Sequence, residues 1–499
     1  MMNYSERMRC KALQDRIVSA DEAASMIKSG MTVGTSGFTP TGYPKAVPEA
    51  LAERIKDEKE FKINLFTGAS VGHALDGSLG ALGAIDRRMP YQTNGNTRKG
   101  LNDRQIRYSD IHLSHFAQEI RYGFYGKINV AIIEAAKITE DGQVVPTTSI
   151  GASPVFCRAA DVVIIEINTN KPVELEGLHD IYQLEDPPNR KPIPLVKPDD
   201  RIGSPYLSID LDKIKAIVFT DKEDDPISFA PVDDCSERIA QHLIDFFEEE
   251  VAIGRLPENL LPLQSGVGSV ANAVLKGISN SSFKDLVFYS EVIQDNVLDL
   301  LDQNTFRFAS GTSLTLSPEG LTRFYDNLDQ YKEKVMLRPM EISNNPEIIR
   351  RIGSITMNTA IEVDIFGNVN STHIMGKDMM NGIGGSGDFT RAGYLSIFTT
   401  PCIAKNGDIS SIVPMVSHVD HTEHDVNIIV TEQGLADLRG LSPFERAEEI
   451  IENCAHPDYR PQLKSYLNEA KQSSGHTPHM MCRALEWHDR FIQTKTMRD

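Results

Sequence analysis

Short apolar runs alternate with amphipathic stretches along most of this chain. Ser19-Ala20-Asp21-Glu22 reads as a capping box, in which the Ser19 and Glu22 side chains serve each other's backbone N–H groups. The helix it opens is expected to end near Ser29-Gly30. Residues 31–34 then read as a strand, 35–40 as a loop and 47–55 as a helix. Residues 63–66 form the next expected strand, closed by Thr67-Gly68-Ala69-Ser70. Residues 128–133 and 162–167 are further apolar strands. Strands alternating with helices imply parallel βαβ units and an α/β fold.

The pattern recurs. Ser36-Gly37, a helix, then Leu65-Phe66-Thr67-Gly68 resembles Ser265-Gly266, a helix, then Phe288-Tyr289-Ser290-Glu291. Ile133-Glu134 leading to Gly142-Gln143-Val144 resembles Ile361-Glu362 leading to Gly367-Asn368-Val369. Two related open α/β domains are therefore expected, 1–222 and 223–499, with a site between them. The boundary is placed between Thr220 and Cys235, where Asp221-Lys222-Glu223-Asp224-Asp225-Pro226 is charged and turn-prone. A helix starting at Asp233 or Ser236 follows and runs to about Val251. After Thr431 the chain reads as mainly helical, with Ser442-Pro443-Phe444-Glu445 a helix start.

At 499 residues the chain exceeds what one core accommodates, so length alone implies two or three domains. Its net charge of -19 argues against nucleic acid or an anionic membrane as a general partner. The first 16 residues lack the apolar stretch of a signal peptide, and no run of about 18 apolar residues suggests a membrane span. The six cysteines show no metal-ligand or redox spacing, so reduced thiols in a cytoplasmic protein are expected.

Candidate chemistry gathers where expected strands stop. In open α/β sheets ligands bind outside the carboxyl ends of the strands. Glu291 follows the apolar run 286–289 and precedes an expected helix over 292–301, so it is either a nucleophile or base or a simple helix cap. Gln264-Ser265-Gly266-Val267-Gly268-Ser269-Val270 is a small-residue loop before a helix, suited to cradle an anion. Residues 382–387 contain G-x-G-x-x-G, but the residues before them are poor strand material. A nicotinamide site needs that strand, so a backbone that must approach a ligand or an oxyanion is the preferred reading. His418, His421 and His424 lack a complete ligand set, and no metal site is expected. Lys405 read alone is a solvated surface lysine, and 431–440 is a charged turn that suits domain packing as well as catalysis.

Tyr289-Ser290-Glu291-Val292-Ile293-Gln294-Asp295 resembles the active-site segment of class I coenzyme A-transferases, and most closely that of the acetyl-CoA hydrolase/transferase branch. Ser36 to Thr39, Leu263 to Gly268, Ser343-Asn344-Asn345-Pro346, Asn381 to Asp388 and Thr431 to Gly440 extend the resemblance over nearly the whole chain. It implies two CoA-transferase-type α/β domains with a helical C-terminal segment, commonly in a homodimer. It implies Glu291 as the nucleophile that becomes a glutamyl-CoA thioester, Asn344 as the residue that orients the carboxylate substrate, and Gly385 as a backbone oxyanion donor. Gly266, Val267, Gly268, Ser269, Val270, Ile361, Asn381 and Lys405 would line the coenzyme A site. Ser269 stands where the family often has asparagine, and Asn296 where it often has glycine. Coenzyme A would be a substrate, with no permanently bound cofactor, and the partners would be acyl-CoAs and small carboxylic acids. The activity expected is coenzyme A transfer. Acetyl-CoA hydrolysis through the same glutamate is the alternative, and a non-catalytic coenzyme A- or nucleotide-binding protein a third reading. Alanine at Gly385 is expected to be doubly unfavourable, adding a methyl where backbone must approach and failing to hold the required φ.

Overall fold

The structure, a computed structural model, describes residues 4–227 and 231–498. The chain forms two compact units: Met1–Ser228 with Phe288–Leu301 and Arg307–Arg351, and Phe229–Val287 with Asp302–Phe306 and Ile352–Asp499. The Glu291 segment and Asn344 thus group with the N-terminal residues in space.

The first unit is built on β1 (Thr32–Thr35), β2 (Ile63–Thr67), β3 (Ile85–Met89), β4 (Arg107–Tyr108), β5 (Val130–Ile138), β6 (Val144–Pro146), β7 (Val162–Asn168) and β8 (Ile214–Thr220). Their order is β4-β3-β2-β1-β5-β7-β8, with β6 antiparallel to β5 and the other neighbours parallel. β1 is buried throughout and β5 nearly so, as expected of parallel strands covered on both faces. Val33, Leu65, Ile132 and Ile164 pack with Val47 and Leu51 of the helix Ala46–Arg54. The same unit holds the strand Val335–Leu337 and, from Arg307 on, its parallel neighbour Phe306–Gly311, with Ala309 opposite Val335.

In the second unit Leu263–Ser265, Ile355–Thr359, Leu395–Thr399 and Ile428–Thr431 are successive parallel neighbours. This series matches β1-β5-β7-β8 of the first unit. The hairpins match as well: β5 returns through Gly142 (φ 79) to β6, and Glu362–Asp364 returns through Gly367 (φ 97) to Val369–Asn370. The internal repeat read from the sequence is therefore present in the backbone. The helices Pro443–Cys454, Arg460–Ala470 and Glu486–Thr494 follow, and Ile451, Tyr459, Leu467 and Trp487 join the core around Phe398 and Ile429.

Three local expectations are corrected. The capping box at Ser19 is present, with Ser19 Oγ accepting from Glu22 N, but its helix ends at Ser25, short of Gly30. The stretch after Thr431 first forms an antiparallel strand, Gly434–Asp437, before any helix. The expected helix over 292–301 starts only at Asp295. Val292 and Ile293, buried and β-branched, instead pair in parallel with Ser313 and Leu314. Among the described residues no helix is long and apolar enough to cross a membrane.

Candidate active site

Leu286–Tyr289 is a fully buried strand, and its chain bends at Ser290 and Glu291. Because the next helix starts four residues later, Glu291 is not its cap. The bend is anchored through backbone: Ser290 N donates to Ser310 O at 3.0 Å, and the Glu291 carbonyl accepts from Thr312 N at 2.7 Å and Ser313 N at 3.1 Å. Gly311 permits this approach, since a Cβ there would stand 3.1 Å from Glu291 O. The backbone is held from below while the side chain remains half-buried.

Asn344 meets that side chain, donating from Nδ2 to Glu291 Oε1 at 2.8 Å. It closes the short helix Met340–Ser343, and its own N–H donates to Met340 O at 2.8 Å. Tyr289 fixes the helix by donating its hydroxyl to Ile342 O at 2.8 Å. One strand thus presents the carboxylate and anchors the amide that touches it. The remaining oxygen of the fully buried Asn344 side chain has no hydrogen-bond partner among the described residues.

One neighbour of Glu291 escaped the sequence reading, as did a buried amide that follows it in the chain. The Tyr91 phenol is pushed up to about 12, by burial first, then by the negative charge of Glu291 and that of Asp110. Gln92, next in the chain, is fully buried, and neither polar atom of its amide has a hydrogen-bond partner among the described residues. An unpaired buried polar group costs about 1–3 kcal/mol, which a polar ligand group would offset. No motif marks these residues; fold alone brings residue 91 near the charge of residue 291.

The remaining expected site residues lie in the second unit. Gly266 to Gly268 form an open turn at the end of Leu263–Ser265: Val267 is half exposed, and a Cβ added at Gly266 or Gly268 would meet nothing. Gly268 has φ 137 and leads into the helix Ser269–Asn280, with Val270 buried. Ile361 is half-buried, and its N–H donates to Asn370 O at 2.8 Å. Lys405 is exposed beside the Phe491 ring, 5.2 Å from its centroid. Lys405, Asn406 and Gly407 take positive φ of 49, 57 and 91 in succession. This turn is braced at the Gly407 carbonyl, which accepts from Arg498 Nε at 2.9 Å and from Tyr459 OH at 2.7 Å.

The glycine loop follows a hairpin of two-residue strands, His373–Ile374 and Asp378–Met379, turning through Met375 and Gly376 at φ 51 and 70. This is not the parallel strand that a dinucleotide fingerprint requires. Gly384 takes φ 57, whereas Gly385 has φ -87 and ψ -8. The conformational part of the Gly385 expectation is overturned, since alanine adopts that backbone readily and the left-handed requirement falls on Gly384. Asn381 Nδ2 donates to Gly382 O at 2.9 Å and to Ser371 O at 3.3 Å. In the 431–440 segment, Glu432 accepts from Cys402 N at 2.8 Å, and Arg439 pairs with Glu250 at 2.8 Å and Asp437 at 2.6 Å. His418 Nε2 lies 3.3 Å from Asp420 Oδ1.

Residues 1–219 match the acetyl-CoA hydrolase/transferase N-terminal domain, and residues 320–467 the corresponding C-terminal domain. The chain is 56% identical to a succinyl-CoA:acetate CoA-transferase of Clostridium kluyveri, over 99% of this chain and 92% of that protein. It is 46% identical to an acetyl-CoA hydrolase of Schizosaccharomyces pombe, over 99% and 98%. It is 45% identical to a propanoyl-CoA:succinate CoA transferase of Escherichia coli, over 96% and 98%. Among solved structures, RipA from Yersinia pestis superposes with a TM-score of 0.71 at 22% identity, covering 93% of this chain and 99% of RipA. At that identity the likeness is one of fold.

Proposed function

The chain belongs to the acetyl-CoA hydrolase/transferase family, and from that premise we propose that it moves coenzyme A from an acyl-CoA to a small carboxylate through a thioester on Glu291. The observation that carries the proposal is the 2.8 Å contact of Asn344 Nδ2 with Glu291 Oε1, at a bend where the carboxylate keeps partial exposure. Aspartate and glutamate carboxylates are established covalent nucleophiles. Glu291 attacks the acyl-CoA carbonyl, forming an acyl-glutamyl anhydride and releasing coenzyme A thiolate. The thiolate attacks the glutamyl carbonyl, forming the thioester and releasing the first carboxylate. The second carboxylate takes coenzyme A by the reverse steps.

Each step passes through an oxyanion, for which the Gly385 N–H is the proposed donor, while Asn344 orients the carboxylate. Gly266 to Val270, Ile361, Asn381 and Lys405 are proposed to contact coenzyme A, which enters as substrate with no resident cofactor. The proposal takes 1–222 and 223–499 as the two related halves along the chain. The proposed working form is a homodimer, as the resemblance implies, in the cytoplasm, which the free cysteines suit. Propionyl-, acetyl- and succinyl-CoA are the donors to test first, since the names of the relatives span acetate, propanoyl and succinate groups.

Acetyl-CoA hydrolysis through the same Glu291 is the second reading, favoured by relatives that carry that name. A matrix of acyl-CoA donors and carboxylate acceptors with water-only controls separates the two. Transfer predicts fast formation of new acyl-CoA with each accepted carboxylate and slow release of coenzyme A in water. Turnover indifferent to carboxylates, with no new acyl-CoA, replaces transfer by hydrolysis.

A further inference from the structure

Beyond this chemistry, we infer that His421 is a positioning residue that fastens both ends of the glycine loop 382–385 from behind, through one ring nitrogen. The inference rests on the proposed role of Gly385 but stands on separate contacts. His421 is 2% exposed, with its ring against Phe398 at 4.8 Å between centroids. Its backbone is paired on both sides with Val369: His421 N donates to Val369 O at 3.1 Å, and Val369 N to His421 O at 2.8 Å. Position and ring plane are therefore set by the sheet and the core before the loop is considered.

His421 Nε2 lies 3.2 Å from Ser386 Oγ and 3.3 Å from Ser371 Oγ. Ser386 is the first residue after Gly385. Ser371 supplies the carbonyl to which Asn381, at the start of the loop, donates at 3.3 Å. One nitrogen thus reaches both the leg by which the chain enters the loop and the leg by which it leaves.

A hydroxyl has one hydrogen to give and two lone pairs to offer. Ser386 Oγ gives its hydrogen to Ile383 O at 2.7 Å, across the loop itself. Ser371 Oγ gives its hydrogen to Asp420 Oδ2 at 3.3 Å, and Ser371 N donates to the same oxygen at 2.6 Å. With its hydrogen given to Ile383 O, Ser386 Oγ has lone pairs to offer the imidazole, and Nε2 stands within hydrogen-bond distance of both hydroxyls. The chain of contacts from His421 through Ser386 to Ile383 O restrains the peptides on the N-terminal side of Gly385. That is where the direction of the Gly385 N–H is decided, and a small misplacement of such a donor is costly.

His421→Phe keeps the ring on Phe398 and deletes the ring nitrogen, and His421→Gln restores a hydrogen-bonding group near the same place. Ser386→Ala removes the receiving hydroxyl with little change of volume. Acyl-CoA:carboxylate transfer kinetics, thermal unfolding and hydrogen exchange of the peptide covering 381–388 are measured for each. The expected result for His421→Phe and Ser386→Ala is a fall in kcat of roughly tenfold to a hundredfold. KM for acyl-CoA should stay within about twofold and Tm near the parent's, with exchange roughly three- to tenfold faster at 381–388, as loss of one hydrogen bond implies. The double variant should be little worse than the worse single one, because both break the same connection. His421→Gln should recover most of kcat.

Unchanged exchange at 381–388 in both variants would overturn the inference, whatever their activity. So would a loss of kcat that His421→Gln does not relieve and that follows a general fall in Tm, because His421 would then be core packing only. Absence of a Glu291 adduct in the parent protein would instead defeat the proposed chemistry, leaving the exchange result to decide the clamp by itself.

Discussion

At the end of β2 the chain turns through Gly68, where an added methyl would stand 2.5 Å from Ala152 N and 2.6 Å from Gly37 O. At the end of the related strand Leu286–Tyr289 it turns through Ser290 and Glu291, where a long side chain stays half-buried and meets an amide. The two strands share their place in the repeat, but one turn is sealed by backbone and the other has room for a carboxylate. A duplicated fold can keep its strand ends and reserve chemistry for one of them, with the other serving as packing.

The largest expected effect tests the chemical side of this contrast. Glu291→Ala should lower transfer by at least about a thousandfold, as removal of a covalent nucleophile does elsewhere, with the fold intact. Acyl-CoA alone should add coenzyme A, less one water, to the peptide holding Glu291 in the parent protein, and borohydride should trap that thioester. Near-native transfer by the alanine variant would end the proposal. A smaller loss is expected from Asn344→Ala. Its amide makes a hydrogen bond to a carboxylate, and such bonds contribute about 1.5–3 kcal/mol. Transfer should fall roughly ten- to a hundredfold, while the adduct on Glu291 still forms, more slowly. An Asn344→Ala protein with parental kcat/KM would show that the contact is incidental.

Much of this contrast was legible in the sequence, for physical reasons that also set its limits. Apolar runs with turn residues at their ends located the strands, and the recurrence of Ser-Gly, helix and strand located the repeat, because both are local patterns. The helix over 292–301 was misplaced because Val292 and Ile293 suit either the start of a helix or a strand, and their pairing with Ser313 and Leu314 is invisible along the chain. The 434–437 strand was missed for the same reason, its partner being Ile428–Thr431 in a hairpin rich in charge. Tyr91 and Gln92 carry no motif. The sequence drew attention to four glycines in the 382–387 loop, but only φ values show that the left-handed backbone falls on Gly384 and not on Gly385.

The sealed turn offers the next test. Gly68→Ala forces a methyl against three backbone atoms, which must move, and overpacking of this kind costs about 1–3 kcal/mol. Thermal and denaturant unfolding should show that loss, while kcat of the protein that remains folded stays close to the parent's. An unchanged unfolding midpoint would mean that the turn has slack, and that Gly68 is no structural counterpart to Glu291.

The smallest expected effect concerns the two matched hairpins, each with a buried glutamate near its first strand. Glu134 lies in a lysine network: Lys45 Nζ is 2.6 Å from Glu134 Oε2 and 2.8 Å from Asp224 Oδ1, and Lys171 Nζ is 2.6 Å from Asp224 Oδ2. Burial alone would lower Lys45, but Asp224 and Glu134 outweigh it and hold the lysine above its ordinary value, so it stays charged across the neutral range. Among the described residues Glu362 pairs with no lysine. It accepts from Asn370 Nδ2 at 2.9 Å and from Ser417 N and Oγ at 2.7 Å, and His488 Nε2 lies 2.7 Å from its other oxygen. Burial would raise Glu362, but His488, Asn370 and Ser417 together hold it below the ordinary carboxylate range. A depressed carboxylate stabilises the fold above its unfolded value, about 4.3 for glutamate, and loses that contribution as pH falls through its folded value. Glu362→Gln keeps an acceptor for Asn370 and Ser417 but cannot titrate. Unfolding free energy measured from neutral pH downwards should therefore start higher in the parent and converge on the variant in acid. Parallel curves would show that the hydrogen bonds at Glu362 are indifferent to its charge, and that the two hairpins differ in composition without differing in their response to acid.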